Sequence, residues 1–190
     1  MIAKIEEVAG GASLCGATNG LAAMLTITQS IPESSQDQLV VLDFSDIDIA
    51  TGRFLRSLVL GLRDYCRTNR QGIGVVLANV GESVMEELVD RLQVMREAVV
   101  VCSLSGEGPP TRPRVVGVLE EKQAETLALV LEAGETDAPS LAANDRESDA
   151  SPNKWNNRLA ALAAKGILKE RREGRLKRYK PILEGLTYGS

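Results

Sequence analysis

"VVLDFSDIDIATGRFLRSL" occupies residues 40–58. It opens in "LVVLDF" (residues 39–44), a segment of strand length that is continuously apolar from Leu39 to Leu42. A strand with one wet face alternates apolar and polar residues, so an unbroken run suits a strand buried on both faces. The second half changes period. From residue 52 to 67, Phe54, Leu55, Leu58, Val59, Leu62 and Cys66 recur at helical spacing, with Arg53, Arg56, Arg63 and Asp64 largely off that stripe. Strand, short connection and amphipathic helix form one half of a parallel unit.

The same alternation continues outward. "IGVVLAN" (residues 73–79) and "AVVVCSL" (98–104) read as further buried strands, separated by a helix over 81–95 with Val84, Leu88 and Leu92 as its stripe. Upstream, residues 1–8 are expected to be a short strand and 18–31 a helix, broken by Pro32 and the polar stretch 33–37. Downstream, "SGEGPPTRP" is a loop of turn formers, and "VVGVL" (115–119) a last strand. Apolar strands alternating with helices predict an α/β domain with a mainly parallel sheet, spanning residues 1–119.

Composition narrows the chemistry. The chain of 190 residues is 44% hydrophobic and only 3% aromatic, so its core must be aliphatic. It has no histidine. That removes the commonest general base and metal ligand, and with them Ser-His and Cys-His nucleophile pairs. No Gly-Lys-Ser phosphate loop and no Gly-x-Gly-x-x-Gly turn is present. No apolar run reaches the roughly 18 to 20 residues of a membrane span. Neither a signal peptide nor a membrane association is expected, and a cytoplasmic location follows as the default. Cys15, Cys66 and Cys102 are scattered, and buried, inert thiols are expected at Cys15 and Cys102. Asp43, Asp46 and Asp48 form an acidic cluster on one segment, but no glycine-rich calcium loop follows, so a structural or partner-facing role is expected. No catalytic residue, metal or cofactor is expected.

Charge is divided unevenly. From Ser151 onward there are ten Lys or Arg against three Glu, in a chain whose net charge is −4. A basic segment on an acidic body suggests that the segment meets a polyanion. Helices are expected over 122–132, over 137–145 with Asp137 as N-cap, and from Ser151-Pro152 to about Lys165, stopped by Gly166. Two strand-like pieces, 167–170 and 176–181, flank a charged turn at Gly174. With Leu159 set inward, Trp155 and Leu162 share its side of the helix. Asn153, Lys154, Asn157 and Lys165 fall opposite, with Arg158 on the flank. Such a face is small, polar and cationic, suited to base edges and phosphates.

"NRLAALAAKGILKER…GRLKRYKP" resembles the third helix and wing of bacterial winged helix-turn-helix regulators, and the likeness spans about residues 120–181. It implies a small α+β domain, residues 120–190, that binds double-stranded DNA. Asn153, Lys154, Asn157, Arg158 and Lys165 would read the groove. Arg171, Arg172, Arg175, Lys177 and Arg178 on the wing would meet the backbone, and a homodimer would match a palindromic site.

The segment 40–58 resembles the STAS fold of anti-anti-sigma factors and sulfate-transporter tails, and especially the STAS-like domains associated with regulators. The likeness spans about residues 1–119 and implies a sensing or docking domain, with a regulatory loop at Asp48, Thr51, Gly52 and Arg53. Aligned on Leu42-Asp43-Phe44-Ser45, Thr51 stands where the anti-anti-sigma branch has Asp, and Gly52 where it has the phosphorylated Ser. The helix is expected to be capped by Asp48, Thr51 or both. The alternative to a DNA-binding regulator is a protein–protein module docking a kinase- or ATPase-type partner.

Overall fold

The structure, a computed structural model, describes residues 1–32, 38–70, 72–106, 108–144 and 151–189. The expected break at 33–37, the polar segment 146–150 and the end of the helix expected over 137–145 lie outside the described residues. A five-stranded sheet forms the centre, in the order β1 (Ile2–Lys4), β3 (Leu39–Asp43), β5 (Gly74–Ala78), β6 (Ala98–Ser103) and β7 (Thr111–Gly117). The first four strands are parallel and β7 runs antiparallel to β6. The chain is thus a mixed α/β protein with a mainly parallel sheet.

Each central strand divides its apolar side chains between two cores. Val40, Leu42, Val75, Leu77, Val99, Val101 and Val116 face one core, while Val41, Val76, Ala78, Ala98, Val100, Cys102 and Val115 face the other. The first core is closed by α2 (Ala17–Ser30), by a composite helix and by α5 (Glu82–Met95). The composite helix corresponds to the stripe read over 52–67. It begins as α3 (Gly52–Leu55), widens into a π segment over Arg56–Leu60 and continues as α4 (Gly61–Asn69). Phe54, Leu55, Leu58, Val59, Leu62 and Cys66 are all buried on it, as its periodicity requires.

The second core is closed by the C-terminal third of the chain. Leu127 and Val130 of α6 (Glu121–Ala133), Leu141 of α7 (Ala138–Asn144), and Trp155, Leu159 and Leu162 of α8 (Pro152–Ala164) join the sheet residues in one cluster. Tyr179, Ile182 and Leu186 complete it. The contact is close: a Cβ on Gly74 would lie 2.6 Å from Ile182 Cδ1. Here the strands β8 (Thr136–Asp137), β10 (Leu176–Pro181) and β9 (Leu168–Glu173) form an antiparallel sheet in that order. α6 opens with a reciprocal box between Glu120 and Gln123, and Asp137 Oδ1 accepts the Ser140 amide at 2.8 Å, capping α7.

Several elements differ from expectation. The strand expected over 1–8 ends at Lys4. The helix-favouring "IEEVA" forms α1 (Ile5–Ala9), which stops at Gly10 with φ 78°. The last strand begins at Thr111, four residues early, because extended pairing to β6 outweighs the turn-forming composition. It ends at Gly117, φ 108°, where a Cβ would collide with the Glu97 carbonyl. The two-residue strands β2 (Ser13–Leu14) and β4 (Ile49–Ala50) pair in parallel, and β8 occupies the start of the helix expected from Asp137. Two residues carry no readable period. Among the described residues no helix is long and apolar enough to cross a membrane.

An ionic knot ties α8 to the sheet. Glu97 accepts from Arg63 Nη1 at 2.9 Å and pairs with Lys165 Nζ at 3.5 Å, while Lys165 also donates to the Arg96 carbonyl at 2.6 Å. Burial alone would push the Glu97 carboxyl up. The hydrogen bond and charge of Arg63, joined by Lys165, outweigh it and hold the group below its ordinary value.

Two outcomes follow from this packing. Gly20 lets α2 cross the composite helix closely, since a Cβ there would lie 2.5 Å from the Phe54 carbonyl oxygen. Alanine is the better helix former by about 1 kcal/mol, but overpacking against immovable backbone costs about 1–3 kcal/mol. Gly20→Ala should therefore lower the urea midpoint; a raised midpoint would refute the close crossing. For Glu97, a depressed folded pKa means a contribution complete above the ordinary Glu value and lost as pH falls through the folded one. Glu97→Gln should cost about 1–3 kcal/mol at pH 7. That deficit should shrink below about pH 4, as measured by denaturation over a pH series.

Candidate nucleic-acid interface

α8 begins with Pro152 at its first position, where the missing amide hydrogen costs nothing. Ser151 precedes it without a side-chain capping bond. The helix presents two unlike sides. Trp155, Leu159 and Leu162 are buried in the second core. Asn153, Lys154 and Asn157 are exposed, and Arg158 is half-buried with its guanidinium 4.8 Å from the centroid of the Trp155 ring. That stacking restrains the arginine from below while leaving its edge available. Ala160, Ala161 and Ala164 keep the flank shallow. Lys165 lies apart from this group: its ammonium is engaged by Arg96 and Glu97, and its side chain is only 14% exposed. The helical wheel could not reveal this, because the acceptors come from the loop before β6.

After α8, Gly166 at φ 74° turns the chain into β9. Gly174, φ 64°, makes the hairpin turn with Arg175. Register sorts the side chains. Arg172 opposes Lys177 and Glu170 opposes Tyr179 on one face; Arg171 opposes Arg178 and Lys169 opposes Lys180 on the other. Directly opposed cations are unfavourable, and intervening carboxylates relieve them. Glu170 meets Lys177 at 2.9 Å and Arg172 at 3.8 Å, and Glu173 meets Arg178 at 2.9 Å and Arg171 at 3.9 Å. Glu135 reaches Arg171 at 3.5 Å. Arg175, exposed at the tip, has no ion-pair partner among the described residues. The five hairpin cations named from sequence thus divide into four with carboxylates beside them and one without. Exposed pairs of this kind are worth about 0–1 kcal/mol and exchange readily for another anion.

Tyr179 locks the hairpin to the helix. Its ring is fully buried, and its hydroxyl lies 3.2 Å from Glu170 Oε2 and 3.4 Å from Asn156 Oδ1. Burial, reinforced by the Glu170 charge, pushes the phenol above its ordinary range, so it stays protonated and donating. Asn156 is therefore a positioning residue that sequence reasoning missed. On a wheel it is one more polar residue, and only the cross-contact distinguishes it from Asn157.

The loop before α3 is built differently from expectation. Neither Asp48 nor Thr51 caps α3. Thr51 Oγ1 instead accepts the Gly16 amide at 3.2 Å, and the Thr51 amide donates to the Leu14 carbonyl. The capping acceptor comes from α5: Glu87 Oε2 takes the Gly52 amide at 3.0 Å, beside Arg91. Gly52 is buried by these neighbours, with Asp48 and Arg53 exposed on either side. A side chain at residue 52 would meet the Arg91 guanidinium. Asp43, Asp46 and Asp48 do not converge: Asp43 holds the Ser45 amide and Asn79 Nδ2, and Asp46 accepts from the Ser45 hydroxyl. Burial pushes the Cys66 and Cys102 thiols up to about 11. Cys15, expected to be buried, is exposed, because the turn into α2 leaves it outside the first core.

Compared with known proteins, the chain matches no protein-family model, no curated protein and no solved structure.

Proposed function

We propose that the chain is a DNA-binding regulator. Residues 120–190 act as a winged-helix unit and residues 1–119 as a STAS-like unit that senses or docks a protein partner. α8 enters the major groove with Asn153, Asn157 and Arg158 toward base edges and Lys154 toward phosphate, while the β9–β10 hairpin follows the backbone through Arg175 and its flanking cations. The observation that carries this reading is the division of α8, whose Trp155, Leu159 and Leu162 are committed to the core and whose opposite side is small, polar and cationic. The order helix, short strand, helix, helix and hairpin supports it. The protein works in the cytoplasm as a homodimer on a two-fold site, without a cofactor.

A second reading has its own support. Four of the hairpin cations already have carboxylates within 4 Å. A module docking a kinase- or ATPase-type partner, with no DNA contact, would tolerate that neutralisation better.

Fluorescence anisotropy with duplex DNA over a salt series separates the two. About four to six phosphate contacts predict a log–log salt slope of about −4 to −5. Arg175→Ala should weaken binding across sequences and reduce the slope by about 1. Asn157→Ala combined with Arg158→Ala should cost about 1–3 kcal/mol per lost base contact, with unchanged circular dichroism. No binding at low salt, or binding without a slope, sinks the DNA reading.

A further inference from the structure

The ladder between β6 and β7 is irregular. Its register shifts between Val101 and Ser103. Opposite, Arg112 adopts φ 50°, a conformation costly for a long side chain. Where the strands part, a cavity of about 350 Å³ opens, with Arg112 and Arg114 on its rim and Val80, Met85 and Val101 among its walls. It sits outside the carboxyl ends of β5 and β6. A second concavity of about 660 Å³ shares Val80, Met85 and Arg114 and runs along α5 past Val89.

Arg112 and Arg114 line the first concavity. Glu82, Glu86 and Asp90, spaced four residues apart on α5, line the second, which Arg114 also borders. Among the described residues none of these five forms an ion pair, with each other or with anything else. A solvated helix face explains exposed carboxylates by themselves. It does not explain two guanidinium groups gathered over one cavity, one of them from a strained backbone.

We propose that this groove binds a small zwitterionic ligand of the amino-acid or short-peptide class. Its carboxylate lies between Arg112 and Arg114, its apolar body over Val80, Met85 and Val89, and its ammonium toward Glu82, Glu86 and Asp90. Arginine favours a planar carboxylate through paired hydrogen bonds, and the acidic far wall disfavours a dianion. The site is separate from the DNA-facing helix, and its test does not depend on DNA binding.

The test is a titration of the full chain by ¹H–¹⁵N NMR with four rigid probes: 4-(aminomethyl)benzoate, benzoate, benzylamine and terephthalate. Saturable shifts at the amides of Val80, Ser103, Arg112 and Arg114 are expected with 4-(aminomethyl)benzoate, which should bind about tenfold more tightly than benzoate. Terephthalate should bind least. Arg112→Gln and Arg114→Gln should each weaken the zwitterion about tenfold or more. Glu86→Gln with Asp90→Asn should reduce it to the level of benzoate. All four positions are solvent-facing, and the same spectra report whether each variant keeps its fold. No saturable shift with any probe, or shifts indifferent to the arginine substitutions, overturns the site. Terephthalate binding as tightly as the zwitterion overturns the assignment of charge along it.

Discussion

The central strands are apolar on both faces, and the N-terminal helices cover only one. Val41, Val76, Val100 and Val115 would lie open to water if α6, α7, α8 and the hairpin were absent. Burying such a face is worth about 25 cal/mol per Å² of apolar surface, and leaving it exposed invites association. The helices α6, α7 and α8 and the hairpin are held by this demand. The basic segment is not a tail hung from a finished domain; it is the third layer of the sheet's own sandwich. Trp155 and Tyr179, rare aromatics in an aliphatic chain, both lie in that layer.

Electrostatics refines what burial imposes. Glu97 stands where the sheet meets α8 and binds cations from both sides, Arg63 and Lys165. It orients the helix about its axis, which apolar packing alone specifies loosely. The outward residues of α8 thereby hold a fixed bearing to the sheet. The hairpin is restrained in the same manner by Glu170, which gathers Lys177, Arg172 and the Tyr179 hydroxyl. Cations that would repel across the strands are interleaved with acids, so the segment folds despite its charge.

Legibility in the sequence followed interaction range. Strands at residues 39–43, 74–78 and 98–103 were plain because burial on both faces leaves an unbroken apolar run. The composite helix and α8 were plain because a stripe at helical spacing is local. What the runs concealed was the identity of the second cover: a doubly buried strand states that two layers exist without saying which residues supply the second. The strands β2, β4 and β8 are too short to show a period. Glu87 as the cap on Gly52, Asn156 beneath Tyr179 and Glu97 beneath Lys165 each join positions more than twenty residues apart in the chain, and no local pattern marks them. Asn153, Lys154, Asn157 and Arg158 could be placed by geometry because their setting is one helix.

The sheet ends differently on its two sides. At β7 the middle of the outer edge is covered: the Val115 amide donates to the Thr187 carbonyl and the Thr187 amide to the Pro113 carbonyl. At β1 no strand among the described residues pairs beyond Ile2–Lys4, and both Ile2 and Lys4 are exposed. Strand addition to the central sheet, whether by a partner chain or in aggregation, is therefore favoured at one margin. That margin is protected by brevity and by Lys4, which would place a buried positive charge in any added interface. At the opposite margin the bridge of Thr187 to Arg114 occupies the middle of β7 with the chain's own backbone, where an added strand would have to displace it.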